Sequence, residues 1–262
     1  MRPRKSLGQH FLHDPHVIAR IIAAIDPQPD DHFVEIGPGR GALTAPLLER
    51  VRRLDVVEID RELAGGLGHT LGPRGLAVHC ADALRFDFRQ LGTLPAGLRL
   101  AGNLPYNIST PLLFHLLEQQ ALFQDLHVML QREVIERMTA APGSRTYGRL
   151  TVSLAARCHV HKLFVVRPGA FTPPPKVDSA VARLVPDAGL SARIGDPATF
   201  DQVVARAFSM RRKRLGNALK GLLSPAEITA CGIDPALRPE AIAPDAYVAL
   251  AARLASKRPP GA

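Results

Sequence analysis

From His32 to about Val185 the chain alternates short apolar runs, rich in β-forming residues, with helix-length segments. An open α/β sheet satisfies that rhythm; segregated strands and helices do not. Phe33–Ile36, Leu54–Ile59, Leu76–Cys80, Leu98–Ala101 and Leu126–Leu130 read as strands joined by helical crossovers, hence parallel. His159–Val166 and Val177–Val185 read as two more. The proline-rich segment from Arg167 to Pro175 between them has no helical content, so these two are expected to pair antiparallel at one sheet edge. Ahead of the sheet, Asp14 and Pro15 read as cap and first turn of a helix carrying Val17, Ile18, Ile21, Ile22 and Ile25 on one face. Periodicity fades between Pro186 and Pro197, and beyond it only helical spacing remains, over Ala198–Ser209, Arg211–Leu223, Pro225–Ala230 and Asp245–Ala255. The expectation is an α/β domain over 1–186 whose sheet ends in an antiparallel edge strand, and a small all-α domain over 187–262.

Composition narrows the partner. The 262 residues carry a formal charge of +9, which favours a polyanion, nucleic acid before an acidic membrane. No apolar run approaches the ~18 residues that would cross a bilayer, so no membrane partner is expected. Cys80, Cys158 and Cys231 lie far apart with no CxxC spacing, and His159 and His161 lack further ligands, so no metal site is expected. The basic start of the chain is interrupted by Asp14, Pro15 and His16 and reads as no export signal. A cytoplasmic monomer is the expectation.

The first strand runs into Glu35-Ile-Gly37-Pro-Gly39-Arg-Gly41-Ala42, which opens a helix. Glycines there permit a tight turn and let a ligand approach the backbone at a helix N-terminus. The same spacing fits a dinucleotide fingerprint, so NAD remains open at this point. Glu58 ends the next strand about 20 residues on, where a carboxylate can accept hydrogen bonds from ribose hydroxyls. Asp82 follows the third strand at the same edge and is the candidate for reading an adenine amino group, although an Asp capping the following helix has the same appearance.

After the fourth strand comes Asn103-Leu104-Pro105-Tyr106-Asn107-Ile-Ser109-Thr110. It resembles the (D/N)-P-P-(Y/F) motif of amino-methyltransferases, and in its longer form the ribosomal RNA adenine N6-dimethyltransferase family. Ser6-Leu-Gly-Gln-His10-Phe-Leu12 is similar to that family's N-terminal cofactor segment, Glu35 to Gly41 to its glycine loop, and Phe171-Thr-Pro173-Pro-Pro175-Lys-Val177-Asp-Ser179 to its substrate-side loop. The matches occur in family order across roughly the first 185 residues.

The resemblance implies a Rossmann-like class I methyltransferase sheet and S-adenosylmethionine as methyl donor, bound by His10, Leu12, Gly37, Glu58, Asp82 and Asn103. His10 stands where asparagine is commoner; a ring nitrogen can still donate there, with a pH dependence. Asn103, Leu104, Pro105 and Tyr106 would carry catalysis, with Phe171 clamping the second face of the target base. The substrate implied is a pair of adjacent adenines in a hairpin near the 3′ end of 16S rRNA, within the small ribosomal subunit or its precursor. Arg206, Arg211, Arg212, Lys213, Arg214 and Lys220 crowd one stretch and are candidates for phosphate contacts, with Arg2, Arg4 and Lys5 adding charge at the N-terminus. Sister activities on large-subunit RNA or DNA adenine, and a ribosome-assembly factor whose methyl transfer is incidental, are the competing readings.

Overall fold

The computed structural model describes residues 9–92 and 96–257; Arg2, Arg4, Lys5 and Ser6 to Gly8 lie outside the described residues. The chain forms two compact units. One runs through Ile135 and resumes over His161–Pro186; the other takes Glu136–Val160 and everything from Asp187 onward. The sequence reading set a single boundary after Pro186. The chain in fact crosses between units three times, because the segment 136–160 packs its apolar residues with the C-terminal helices.

The first unit is built on parallel strands β2 (His32–Ile36), β3 (Arg53–Glu58), β4 (Leu76–Cys80), β5 (Leu98–Asn103) and β6 (Phe123–Gln131). With β7 (Cys158–Val166) and β9 (Ser179–Pro186) the described strands lie in the order β4-β3-β2-β5-β6-β9-β7. The strand order reverses at β2 and β5, so the carboxyl ends of these two open the crevice where α/β sheets bind ligands. The antiparallel strand expected at the edge lies one place inward: β9 pairs antiparallel with β6, Val128 opposite Ala182, and β7 takes the edge. The reason is visible in burial. Ser179–Leu184 is buried except at Arg183, whereas β7 exposes His159 and the run His161, Lys162 and Leu163.

Helix α1 (Pro15–Ile25) begins as read, with Asp14 accepting from the amides of His16 and Val17 and with Ile21, Ile22 and Ile25 buried. Two short strands were not legible in the sequence. β1 (Phe11–Leu12) and β8 (Phe171–Thr172) pair antiparallel, Leu12 opposite Phe171, and so fasten the N-terminal segment to the loop that precedes β9. A 3₁₀ turn at Pro168–Ala170 also occupies the segment expected to hold no helix.

The second unit is helical apart from the start of β7. Its core gathers Tyr147, Val152, Phe200, Val203, Leu215, Leu219, Tyr247 and Leu250. The helix expected over Arg211–Leu223 is largely absent: only Leu215–Ala218 is α-helical, and Arg211–Arg214 forms a turn. Gly221 takes a left-handed φ of 90° that ends the segment. No helix among the described residues is long and apolar enough to cross a membrane.

Candidate functional site

The carboxyl ends of β2, β3 and β5 meet at a partly open cavity. Backbone geometry explains its shape. Gly37 turns the chain at φ 65° immediately after β2, its amide donating to the Val57 carbonyl at 3.0 Å. A side chain there would be strained whatever the space. Gly102, in β5, passes so close to β2 that a Cβ would lie 2.7 Å from the Ile36 carbonyl oxygen. That close approach sets Asn103 against the glycine loop.

Five of the six residues expected to hold the cofactor share this cavity: His10, Leu12, Gly37, Glu58 and Asn103. Glu58 is 5 % exposed. One carboxylate oxygen accepts the Gly39 amide at 3.1 Å and the other the Asp60 amide at 2.9 Å. Burial raises its pKa, and these two amides pull it back. It therefore braces the glycine loop as well as facing the cavity, and a carboxylate so held keeps lone pairs for a ligand. Asp82 departs from the group. It lines a second depression with His79, Cys80, Arg85 and Phe86, and its carboxylate accepts the Leu84 amide at 2.9 Å, closing a turn rather than capping a helix.

Around Asn103 three segments converge. Its side-chain nitrogen donates to the His10 carbonyl at 2.9 Å. The opposite amide orientation would set oxygen against oxygen, so the carbonyl partner fixes which end of the amide is left to face a substrate. The His10 ring stacks on Tyr106, centroids 5.4 Å apart, and its Nδ1 lies 2.7 Å from the Pro173 carbonyl. Since a carbonyl only accepts, Nδ1 carries the hydrogen. The Tyr106 hydroxyl pairs with Ser179, and burial raises its pKa. Leu104 is held by its amide to the Met129 carbonyl at 3.0 Å, and Pro105 turns the chain into a 3₁₀ turn over Tyr106–Ile108.

Phe171 does not stand where the sequence reading placed it. Its ring is 2 % exposed and sits in the core with Leu12, Val166 and Val181, so it presents no free face to a base. The β1–β8 pairing turns it inward, a consequence of tertiary structure that the linear motif does not carry.

One cavity residue was missed. Glu35 is 2 % exposed, lines the cavity, and has a carboxylate oxygen with no hydrogen-bond partner. Its signal was in the sequence: an acid as the penultimate residue of an otherwise apolar strand, directly before the glycine loop.

The walls suit a nucleoside bearing positive charge. Two carboxylates, Glu35 and Glu58, face a cavity whose wall also carries the polar side chains of Gln9, His10, Arg40 and Asn103 and the apolar ones of Phe11, Leu43 and Ile59, the last 50 % exposed. Such a mixture of apolar wall and few convergent polar groups is what small-molecule sites present. The residues present fit S-adenosylmethionine.

In the second unit, Arg212, Lys213, Arg214 and Lys220 are exposed. Arg206 is half-buried on α8 (Pro197–Ser209), and Arg211 is engaged within the unit, donating to the Arg145 carbonyl at 2.8 Å and lying 3.6 Å from Glu240. The cluster is thus divided between free cations and one that supports its own turn.

The chain is similar over nearly its whole length to known proteins. A curated relative from Nitrosococcus oceani, Ribosomal RNA small subunit methyltransferase A, is 54% identical over 250 residues, covering 95% of each chain. Among solved structures, a dimethyladenosine transferase from Plasmodium falciparum matches with TM-score 0.77 at 27% identity over 92% of this chain and 96% of its own. The 23S rRNA methyltransferase ErmE matches with TM-score 0.70, also at 27% identity, over 94% and 99%. A family model described as Ribosomal RNA adenine dimethylase spans residues 1–256. With the glycine loop, the Asn103 motif and its fastening to His10 already in place on one sheet edge, that match leaves one assignment: the chain belongs to the ribosomal RNA adenine dimethylase family.

Proposed function

We propose that the protein dimethylates N6 of two adjacent adenines in a hairpin near the 3′ end of 16S rRNA, acting on the small subunit or its precursor. The observation that carries the reading is the fixed amide of Asn103 at the rim of a cavity suited to S-adenosylmethionine. The name of the relative from Nitrosococcus oceani supports the small-subunit choice over large-subunit RNA.

An adenine amino group is a poor nucleophile because its lone pair is delocalised into the ring. The side-chain oxygen of Asn103, left free by the nitrogen's bond to His10, accepts one N6 hydrogen, and the Leu104 carbonyl accepts the other. Pyramidalisation localises the lone pair, and the proton leaves to solvent after transfer. When bound, the cofactor supplies an electrophilic methyl group on a positively charged sulfur. Its holders would be His10, Leu12, Gly37 and Glu58, with Asp82 reading the adenine from the second depression. No strong base is needed; positioning and fixed dipoles supply the rate. Tyr106, restrained by His10 on one face and Ser179 at its hydroxyl, stacks the extruded base. Arg212, Lys213, Arg214 and Lys220, with Arg206 and Arg211 behind them, neutralise RNA phosphates.

The test is transfer of labelled methyl from S-adenosylmethionine to small subunits lacking the modification, with large subunits and DNA alongside. Label confined to small subunits supports the proposal. Label in either control moves the activity to a sister substrate, and no label favours an assembly factor.

A further inference from the structure

Glu35 is conspicuous because a carboxylate that is buried and only partly satisfied is costly unless it is neutral or paired. It lies on β2 between Val56 of β3 and Ala101 of β5, neither of which offers a polar side chain. One carboxylate oxygen has no partner, while the group lines the cofactor cavity. The other titratable or charged residues on that wall are Glu58, Arg40 and His10. None neutralises it. Glu58 is itself acidic; the Arg40 guanidinium lies over the Phe11 ring, 4.5 Å from its centroid; the His10 ring is turned to Tyr106 and Pro173. Thr44, at the start of α2 (Thr44–Leu48), is the nearby hydroxyl.

We propose that Glu35 is a proton-coupled reader of the cofactor's positive charge: neutral in the empty cavity, it ionises as the cationic cofactor enters and releases one proton. The inference rests on S-adenosylmethionine being the ligand. The balance is simple. The carboxyl O–H bond breaks, the proton passes to solvent, and the carboxylate formed faces a ligand with net positive charge. Burial, helped by Glu58 and opposed by Thr44, pushes the Glu35 carboxyl up to about 8, so the neutral form is the resting one at pH 7. The demethylated product, S-adenosylhomocysteine, has lost the sulfonium charge and gives the carboxylate less to pair with. Glu35 thereby favours cofactor over spent product, and the preference grows as pH rises.

The test is isothermal titration calorimetry of the full chain with S-adenosylmethionine in buffers of different ionisation enthalpy, from pH 6.5 to 9, with S-adenosylhomocysteine in parallel. The proposal expects close to one proton released per cofactor bound below about pH 8, vanishing above pH 9. It expects affinity to weaken about tenfold per pH unit below 8, and smaller release with the product. Glu35→Gln, which keeps the shape, should bind without that proton. Binding by the wild-type chain with no proton release overturns the proposal, whether or not the variant folds. Release retained in Glu35→Gln overturns the assignment to Glu35. No binding of S-adenosylmethionine at any pH overturns the cofactor reading itself, a result distinct from either.

Discussion

The side-chain nitrogen of Asn103 donates to the backbone carbonyl of His10 at 2.9 Å, joining residues 93 positions apart. Because the partner is backbone, the bond is indifferent to which side chain stands at position 10, and so a histidine can occupy a place where asparagine is commoner. The His10 side chain is then available for other work, bridging Tyr106 and Pro173.

This geometry separates turnover from binding. Asn103→Ala should lower kcat by about 10²- to 10³-fold, as expected for loss of one transition-state acceptor, with a much smaller change in cofactor affinity. Glu58→Ala should do the reverse, weakening S-adenosylmethionine binding by about two orders of magnitude through lost charged hydrogen bonds. Steady-state kinetics and calorimetry on both variants decide it. Equal losses in both quantities would contradict the division.

Phe171 separates packing from catalysis. Buried beside Leu12 and Val181, it should cost about 3–5 kcal/mol of stability on replacement by alanine, measured by urea unfolding. Tyr106→Ala should leave stability nearly unchanged and lower turnover. A Phe171→Ala protein of full stability and no activity would return the ring to the base-clamping role.

Acid should destabilise the sheet in a definite window. His127 on β6 is 3 % exposed, with Asp125, Arg99 and Arg183 around it. Burial lowers its pKa from 6.5 to about 4, Asp125 opposing and the two arginines adding to the shift. Between those values the unfolded chain binds a proton at this residue that the folded chain does not, so the His127 contribution to stability falls as pH drops from 6.5 to 4, whereas Glu35, protonated in the folded chain below about pH 8, contributes in the opposite sense. The loss attributable to this residue is about 3 kcal/mol, read from unfolding free energies across that range. His127→Gln should flatten the slope; an unchanged slope would refute the attribution. Below pH 4 a second loss begins. Burial would raise the Asp125 pKa, but its bidentate partner Arg99, at 2.9 and 3.0 Å, wins and holds it below 3.8.

RNA binding by the second unit should be electrostatic. If five phosphates are neutralised, the affinity for single-stranded RNA should fall with a log–log salt slope of about −3.5. Replacing Lys213 and Arg214 by glutamine should reduce that slope by about 1.4. A slope unmoved by the double variant would place the phosphate contacts elsewhere.

The parallel sheet and its ligand edge were readable because strands, glycine turn and acidic strand ends follow local rules: Gly37 needs its left-handed φ, and Asp14 caps α1 with its own side chain. The family was readable because its motifs are short and contiguous. What escaped was set by distant partners. Phe171 faces inward because β8 pairs with β1, Asp82 is drawn into the turn that follows it, and 136–160 leaves the sheet unit because its apolar residues find the C-terminal helices. Glu35 was legible but overlooked, its strand reading as apolar apart from one acid.

The most direct measurement of the central claim is nucleoside analysis of small subunits lacking the modification, after incubation with S-adenosylmethionine and either the wild-type chain or Asn103→Ala. The wild-type chain should yield N6,N6-dimethyladenosine at two adjacent positions near the 3′ end of 16S rRNA, and the variant should form it at least about a hundredfold more slowly. Wild-type and variant chains producing it at equal rates, or methyl groups found on any atom other than adenine N6, would contradict the claim.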